Sequence, residues 1–423
     1  MAMLDEPAVA ASHSTEPPRG GALAAPRNLM GAATSGDVAC RACGAEGLAE
    51  PRPVDRLNGV TSDCKPWPTA SRIVVCRRCG LVQKPGSAEW LATIRQVYDA
   101  YAIYHQSASG AEQAVFDAST GQGTPRSVRL FERLARECQL PEKGRLLDIG
   151  CGNGVLLRSV SALAPGWTLA GADLDDRHRA TVERIPGVER FYAGPAERIQ
   201  DRFDLIAMQH VLEHVPEPVQ LLRHLGSLLL PGGRLFVQVP NADENPFDLM
   251  VVDHASHFGP ETVRATVLSA GLEVELVATD WAPKELTVVA RRVEIGTTRH
   301  DRARVTVETD LAVRQTGERL GWLVATAQHA ASASGDGSAP FGLLGTSIAA
   351  TWLAAMLGDR VKFFVDEDAS RIGQPFHGRP VIHPSAVLDT DSVYVAFPFA
   401  QARQIAGRLE QRYPGVRWVV PPV

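Results

Sequence analysis

A glycine-rich stretch between an apolar run and a helical run is the first place where this sequence could bind a ligand. It runs from Leu147 to Gly154 and reads LDIGCGNG. The glycines would let the backbone approach a ligand closely, because a Cβ would collide with it. The next apolar run ends in Asp173, where nucleotide folds place a carboxylate that accepts hydrogen bonds from ribose hydroxyls. The pattern predicts a site for an adenosine group with a free ribose.

The spacing of these glycines separates two classes of ligand. Rossmann dehydrogenases usually carry GxGxxG, whereas this loop has glycine at every second position. The acidic residue before the loop and the later HVLEHVP segment (210–216) resemble class I S-adenosylmethionine (SAM)-dependent methyltransferases instead. The resemblance covers about 145–292, and it implies SAM as the cofactor. The SAM-binding residues that it implies are Asp148, Gly150, Gly152, Asn153, Gly154, Asp173, Glu197, Gln209 and His210.

The same HVLEHVP segment also fits a different class of enzyme. His210, Glu213 and His214 match the H-x-x-E-H pattern of some metallopeptidases, in which two histidines one helical turn apart share a metal. In class I methyltransferases, however, the equivalent stretch follows the fourth strand, caps the SAM pocket and holds no zinc. We therefore favour the methyltransferase interpretation.

Four of the seven cysteines form two CxxC pairs. Cys40 and Cys43 lie in CRACG, and Cys76 and Cys79 lie in CRRCG. Four thiolates complete a closed tetrahedral zinc site, and the glycine after each pair permits a tight turn around the metal. A redox dithiol would need a thioredoxin-like βαβ context, which is missing here. The pattern predicts structural zinc, since a closed site leaves no coordination position for catalysis.

Strands and helices alternate in the region that must position these residues. We predict strands at 145–150, 168–174, 203–209, 233–240 and 286–292, with a possible short strand at 189–192. This alternation indicates a parallel sheet covered by helices on both faces. A second strand–helix series starts at Pro340. The fold class is therefore α/β, with a Rossmann-like class I methyltransferase domain at its centre, a small N-terminal zinc-binding module and a C-terminal Rossmann-like domain.

Composition narrows the cellular context and the partners. The chain has 423 residues, and its formal net charge of −5 argues against nucleic-acid or membrane-surface partners. Neither a membrane span nor a signal peptide is visible, so a cytoplasmic location is expected by default. The oligomeric state stays open. The predicted organisation is a disordered leader (1–37), a zinc module with a helical linker (38–125), a SAM-binding domain (126–295), and a helix with a nucleotide-fold domain (296–423).

This order of parts resembles the sugar C-methyltransferases, which act on nucleotide-linked 4-keto deoxysugars. The resemblance spans about 38–423 and is clearest in the cysteine pairs with GLVQ (80–83), the glycine loop, and the segment 241–258. It implies a nucleotide sugar as the small-molecule substrate. The family carries a Tyr-His-Glu-His segment here. At the matching positions this chain has Val251, Val252, Asp253 and His254, followed by His257 where the family usually has an aromatic residue.

The chemistry of such a reaction explains why an acid–base segment is needed. A carbon next to a ketone must lose a proton before it can take a methyl group, and a histidine near a carboxylate suits this task near neutral pH. His254 is the candidate base, Asp253 would orient it or act as a second base, and His257 would donate to the substrate oxygen. The same residues would equally deprotonate a hydroxyl, so O- or N-methylation of another small metabolite stays open.

Three further alternatives remain from the sequence. Asp253, His254 and His257 could form a Mg²⁺ site, as in some O-methyltransferases, or simply a polar loop. The turn at Gly345, which opens a helix, could bind an anion of the nucleotide sugar or could only pack. Finally, the chain could be a non-catalytic binding protein, although an intact SAM loop argues against this.

Overall fold

The computed structural model describes residues 39–51, 57–99, 114–116, 123–293, 309–336 and 339–423. The predicted leader (1–37) lies outside the described residues. So do residues 100–113 of the predicted zinc module and helical linker. No helix within the described ranges is both long enough and apolar enough to cross a bilayer.

The central part of the chain forms a seven-stranded sheet. Its strands are β8 (Gly144–Ile149), β9 (Trp167–Asp173), β10 (Val188–Ala193), β11 (Phe203–Gln209), β12 (Leu229–Pro240), β14 (Leu272–Ala278) and β15 (Glu285–Arg292). The order is β10-β9-β8-β11-β12-β15-β14, and the first five strands run parallel. Strands β15 and β14 form an antiparallel pair at the edge. The order reverses between β8 and β11, which is where doubly wound folds bind their ligands.

Apolar side chains cover both faces of this sheet, as parallel strands require. Leu147 and Ile206 belong to the core on one face, and Leu146 and Leu205 to the core on the other. The helices that cover the faces are α2 (Arg126–Glu137), α3 (Val155–Leu163), α4 (Arg179–Val182), α5 (Pro218–Ser227) and α6 (Pro260–Ser269). Because helices cover both faces of this sheet, a polar ligand is expected to bind at the edge where the parallel strands end.

The N-terminal part consists of short strands around the cysteines, where the sequence indicated little regular pattern. The elements are β1 (Leu48–Ala49), β2 (Gly59–Val60), β3 (Pro66–Trp67), β4 (Val74–Cys76), β5 (Val82–Gln83), α1 (Ala88–Asp99), β6 (Ala114–Phe116) and β7 (Gly123–Pro125). One sheet has the order β1-β4-β5-β13, and its last strand, β13 (Ser256–His257), comes from the predicted acid–base segment. The cysteine-bearing strands are thereby hydrogen-bonded to that segment.

The C-terminal part forms a second parallel sheet. Its elements are α7 (Thr309–Ala333), β16 (Phe341–Leu344), α8 (Ile348–Leu357), β17 (Val361–Val365), β18 (Pro375–Phe376), β19 (Arg379–Ile382), β20 (Ser392–Val395), α9 (Phe399–Arg412) and β21 (Arg417–Val419). The order is β18-β19-β17-β16-β20-β21, in which only β18 pairs antiparallel. The predicted α/β fold class, with two Rossmann-like sheets, is therefore confirmed, whereas the domain boundaries stay predictions.

The sequence located most strands of the central sheet within a few residues, but two of its expectations were wrong. Strand β14 was missed, because its alternating burial and Glu residues gave only a weak apolar signal. Residues 123–125, which were predicted to be linker, pair with β6 as a strand. The helix predicted before the C-terminal nucleotide-fold domain spans Thr309–Ala333 in the described residues.

Candidate active site

The glycine loop leaves the end of β8 in a conformation that only glycine adopts readily. Gly150, Gly152 and Gly154 have φ angles of +69°, +52° and +85°. A Cβ on Gly150 would lie 2.4 Å from Cγ2 of Val211, which follows β11. The loop therefore packs directly against the end of the neighbouring strand, at the point where the strand order reverses.

Asp173 ties this loop to the end of β9. Its Oδ2 accepts a hydrogen bond from the Gly152 N–H at 2.9 Å, and its Oδ1 accepts one from Leu174 N–H at 2.7 Å. Burial raises the pKa of Asp173, although the hydrogen bonds from these two backbone N–H groups act to lower it. The deeply buried Asp148 has a pKa raised well above the ordinary value, first by burial and then by the charge of Asp173. Both carboxylates thus flank the loop, in an arrangement that favours a positively charged or hydroxyl-bearing ligand.

The other residues predicted to contact SAM lie on the same edge of the sheet. Asn153 is held by Arg158, whose guanidinium donates to the Asn153 backbone oxygen at 2.6 Å and to its side-chain oxygen at 3.0 Å. Glu197 is exposed in a short 3₁₀ turn after β10. That turn follows Gly194, whose N–H donates to the Asp173 carbonyl oxygen at 2.9 Å. Gln209 is the last residue of β11.

His210, immediately after β11, lies in a charged cluster. Its own φ angle is +51°, an uncommon conformation for histidine. Its Nε2 lies 3.3 Å from an oxygen of Glu285, and its Nδ1 lies 3.4 Å from an oxygen of Glu213. Burial favours the neutral imidazole, but the two carboxylates outweigh it and raise the pKa of His210 to about 9. Arg126 contacts Glu285 at 3.0 Å and donates to Nε2 of His210 at 2.9 Å, and its positive charge opposes this increase in the pKa of His210.

The predicted acid–base segment is buried, and its central carboxylate is Asp248. Oδ1 of Asp248 lies 2.8 Å from Nδ1 of His254, and Oδ2 lies 2.6 Å from Nδ1 of His257. Burial opposes ionisation of Asp248, but the two imidazoles hold its pKa well below the ordinary value. An ionised carboxylate only accepts hydrogen bonds, so Nδ1 of both rings carries a proton. In its neutral form, each ring then keeps an unshared electron pair on Nε2.

The expected contact between Asp253 and His254 has to be corrected, because the carboxylate that contacts His254 Nδ1 is that of Asp248. Asp253 is fully buried and accepts hydrogen bonds from Ser62, at 2.8 Å from the backbone N–H and 2.5 Å from the hydroxyl. Its Oδ2 also lies 3.5 Å from Nδ1 of His214. Asp253 thus fixes the loop to the N-terminal part, while Asp248 orients His254.

The donor role expected for His257 also meets a physical obstacle. Burial, with a further contribution from the Lys84 charge, lowers the pKa of His257 to about 4 even though Asp248 opposes it. A neutral His257 that donates through Nδ1 has only an acceptor at Nε2. It cannot then donate to a substrate oxygen. The arrangement fits a residue that positions Asp248.

Two functional candidates escaped the sequence reasoning. Lys84 is fully buried, its Nζ donates to the Leu249 carbonyl oxygen at 2.9 Å, and burial lowers its pKa to about 7. Asp248 was not among the site residues predicted from the sequence. The signal for Asp248 was a carboxylate six residues before His254, in a segment where no predicted helix or strand relates the two positions.

The four paired cysteines converge as predicted. Sγ of Cys40 lies 3.5 Å from Sγ of Cys79, and Sγ of Cys43 lies 3.6 Å from Sγ of Cys76. Both pairs fold in the same way, with the N–H of the glycine after each pair donating to the carbonyl oxygen of the first cysteine at 2.8 and 2.9 Å. Tetrahedral zinc with thiolate bonds of about 2.3 Å places sulfurs roughly 3.8 Å apart. The donor set therefore fits zinc in both number and spacing.

The turn that opens α8 is already occupied by the protein's own carboxylate. Asp366 accepts hydrogen bonds from the Thr346 N–H at 2.9 Å and from the Thr346 hydroxyl at 2.7 Å. Ser347 caps the helix by accepting from Ala350 N–H at 3.4 Å. A negative charge at this point disfavours a second anion, so the geometry supports the packing alternative for this turn more than anion binding.

Comparisons with known proteins fit this geometry. Residues 124–277 match a family model described as a methyltransferase domain. The chain contains a SAM-dependent methyltransferase domain. A ubiquinone biosynthesis O-methyltransferase of Aeromonas salmonicida is 32% identical over 117 residues, which are 26% of this chain and 48% of that protein. Another, from Xanthomonas axonopodis pv. citri, is 31% identical over 163 residues, or 33% of this chain and 66% of that protein.

Among solved structures, a SAM-dependent methyltransferase from Clostridium acetobutylicum is similar with a TM-score of 0.34 and 12% identity, covering 40% of this chain and 91% of that one. The chain spans about half to two thirds of the curated relatives named above. The chain has further parts on both sides of the matched methyltransferase domain, and its acceptor has to be argued from the site.

Proposed function

We propose that this methyltransferase C-methylates a nucleotide-linked 4-keto deoxysugar, with His254 as the base. The observation that carries the proposal is the buried hydrogen bond between Asp248 and His254 Nδ1. It fixes the tautomer of His254 and leaves the Nε2 electron pair available for a proton. The resemblance to sugar C-methyltransferases supplies the class of acceptor.

In the proposed reaction the glycine loop binds SAM, which supplies the methyl group. Asp173 would accept hydrogen bonds from the ribose hydroxyls, Asp148 would lie at the amino-acid end, and Glu197 near the adenine. Gln209 and His210 would close the pocket from the end of β11. The fit rests on the positive φ angles of the loop and on the two carboxylates that flank it.

The acceptor chemistry follows from the state of His254. The C–H bond next to the ketone would break, its proton would pass to Nε2, and its electron pair would form the enolate. The enolate carbon would then take the methyl group as the methyl–sulfur bond of SAM breaks, which leaves S-adenosylhomocysteine. Asp248 stabilises the resulting imidazolium, which gains charge next to a carboxylate. The charges of Asp248 and other nearby carboxylates raise the pKa of His254 above the ordinary histidine value, although burial opposes this. Asp253 and His257 act as positioning residues rather than as a second base and a donor.

O-methylation is the second candidate, because the curated relatives named above are O-methyltransferases. A hydroxyl next to His254 would lose its proton to the same Nε2. A phenol or an enol loses its proton more easily than the C–H bond next to a ketone, so its deprotonation would suit this base equally well. The relatives support the alternative through the shared catalytic domain only.

We also propose that the four paired cysteines hold structural zinc. Their number, their mirrored turns and their sulfur spacing support a closed thiolate site. Such a site has no open position, so the metal would stabilise the N-terminal part without taking part in methyl transfer.

The experiment that tests the acceptor uses SAM labelled with carbon-13 in its methyl group. The purified protein is incubated with a panel of 4-keto deoxysugar nucleotides, and the products are examined by carbon NMR. A label in the C-methyl region is the expected result. A label in the O-methyl region would replace the proposal by the second candidate. Absence of transfer, with SAM bound, would reject this class of acceptor.

A further inference from the structure

Glu213 is a buried carboxylate whose oxygens lack hydrogen bonds. It lies in the 3₁₀ turn Leu212–His214 after β11, and its exposed fraction is 1%. Among the residues that the structure describes, none donates a hydrogen bond to either oxygen. The nearest cationic group is Nδ1 of His210, at 3.4 Å. His210, whose pKa is raised to about 9, offsets part of the negative charge of Glu213. The two oxygens still lack hydrogen bonds, so a group from outside the protein that ligates them would stabilise the carboxylate further.

Two histidines lie beside this carboxylate. A ligand atom of Glu213, one of His214 and one of His254 all lie within 4.8 Å of one another. The rings of the two histidines meet edge to face, with centroids 4.7 Å apart. The main chain supports this juxtaposition, because the N–H of Ala255 donates to the Glu213 carbonyl oxygen at 2.6 Å. Glu213, His214 and His254 are called the Glu213 cluster below.

The outer hydrogen bonds of both rings match those of metal-binding histidines. Nδ1 of His254 contacts the Asp248 carboxylate at 2.8 Å, and Nδ1 of His214 contacts the backbone carbonyl of Asp253 at 3.1 Å. Histidine ligands usually donate their second ring N–H to a carboxylate or a backbone carbonyl in this way. Both rings are therefore left with Nε2 as the free electron-pair donor.

We propose that the Glu213 cluster binds a divalent transition-metal ion such as Zn²⁺ or Co²⁺, through one Glu213 oxygen and Nε2 of both histidines. Two imidazoles and one carboxylate suit such borderline cations better than Mg²⁺ or Ca²⁺. The carboxylates of Asp248 and Asp253 nearby favour added positive charge. The side chain of His214 is 15% exposed, so an ion would reach the Glu213 cluster from that side.

The neighbouring group of Asp248, His254 and His257 is a weaker candidate. Its ligand atoms also lie close together. However, both oxygens of Asp248 already accept hydrogen bonds from the two rings, at 2.8 and 2.6 Å. The carboxylate of that group is satisfied without a metal, whereas both oxygens of Glu213 lack hydrogen bonds.

The bound ion would have a consequence for catalysis that rests on the proposed function. The electron pair on Nε2 of His254 cannot hold a metal and accept a proton at the same time. Occupancy of the Glu213 cluster would therefore inhibit methyl transfer. This makes it an inhibitory site, distinct from the four-cysteine site.

Cobalt binding tests the site independently of activity. The full-length protein, with its cysteine site filled with zinc, is titrated with Co²⁺ and followed by visible absorption. We expect d–d bands that saturate at one added equivalent, without the thiolate charge-transfer band that displacement of zinc would produce. Glu213→Gln should weaken binding by about 100-fold or more, and Asp248→Asn by about 10- to 100-fold. The control Glu183→Gln, an exposed carboxylate, should bind like the wild type.

The outcomes separate the two proposals. Equal cobalt affinity in wild type and Glu213→Gln, or the lack of d–d bands, would overturn the metal site. His214→Gln gives a second variant if Glu213→Gln fails to fold, as judged by thermal melting. In the labelled-SAM assay, the midpoint of inhibition should match the spectroscopic Kd. Cobalt binding without inhibition would confirm the site and reject His254 as the base.

Discussion

Replacing Asp248 by asparagine removes the carboxylate that fixes both His254 and His257, and its effect can be worked out from the two contacts. Asparagine keeps one oxygen that can accept from a ring, but its NH₂ group faces the other Nδ1–H. One ring must then change tautomer or lose its partner. If that ring is His254, its Nε2 carries the proton and cannot act as a base. A hydrogen bond to a charged group contributes about 1.5–3 kcal/mol, so the free energy of unfolding should fall by about that amount.

We expect the kcat of Asp248→Asn to fall by more than the loss of folding stability alone would cause. Positioned general-base catalysis contributes about 10²- to 10⁴-fold, so we expect kcat of Asp248→Asn to fall by about that range. The Kd for SAM, measured by calorimetry, should stay within about twofold, because Asp248 is separate from the glycine loop. Asp253→Asn is the matched comparison: it alters an equally buried carboxylate that contacts Ser62 instead of His254.

The pair of variants decides which carboxylate orients the base. Single-turnover rates with labelled SAM should show a larger loss in Asp248→Asn than in Asp253→Asn. The double variant Asp248→Asn with His254→Gln should be no slower than His254→Gln alone, since residues that act as a unit are not additive. A larger loss in Asp253→Asn, or an Asp248→Asn rate within about tenfold of wild type, would refute the reasoning.

Three further predictions concern the cofactor loop, the cysteine site and acid stability. Gly150→Ala would place a Cβ 2.4 Å from a valine methyl group at a φ of +69°, so calorimetry should show SAM affinity reduced by about tenfold or more; Gly271→Ala, with a similar φ of +83° but open space, is the control and should keep its SAM affinity. Cys76→Ser should lower the zinc content by about one equivalent per chain in elemental analysis and lower the Tm; an unchanged zinc content would contradict the four-thiolate site. The folded-state pKa of His257 is lowered to about 4 from 6.5, so the unfolded chain binds more protons between these values and stability should fall by about 3 kcal/mol as the pH drops from 6.5 to 4; urea unfolding of His257→Gln should show a smaller loss over this interval.

Local patterns accounted for the cofactor side of the site. The glycines, the buried strand before them and Asp173 follow one another closely along the chain, and the fold of β8 and β9 brings them together whatever the rest of the protein does. The paired cysteines were equally accessible, because each pair makes its own turn. Both features depend on short-range backbone geometry, which a single sequence records.

The acceptor side could not be derived in the same way. Ser62 reaches Asp253 across 191 residues, and Lys84 reaches Leu249 across 165. Sequence spacing gives no sign of such contacts. The expectation that neighbouring Asp253 and His254 would interact assumed that adjacency along the chain implies contact. In the loop that follows the 3₁₀ turn at 246–250, these two side chains find different partners.

The contacts of the N-terminal part connect the cysteine-bearing strands to the acid–base loop. Val60 accepts a hydrogen bond from Val252 N–H at 2.9 Å, and Trp90 Nε1 donates to the Val252 carbonyl oxygen at 2.9 Å. Strand β5, which pairs with the cysteine-bearing strand β4, also pairs with Ser256 and His257. The acid–base loop is therefore held from both ends by the part of the chain that the cysteines organise. A metal at the cysteines would support catalysis by holding the side chains of His254 and Asp248 in contact. Its removal should therefore reduce kcat, while SAM still binds to the glycine loop.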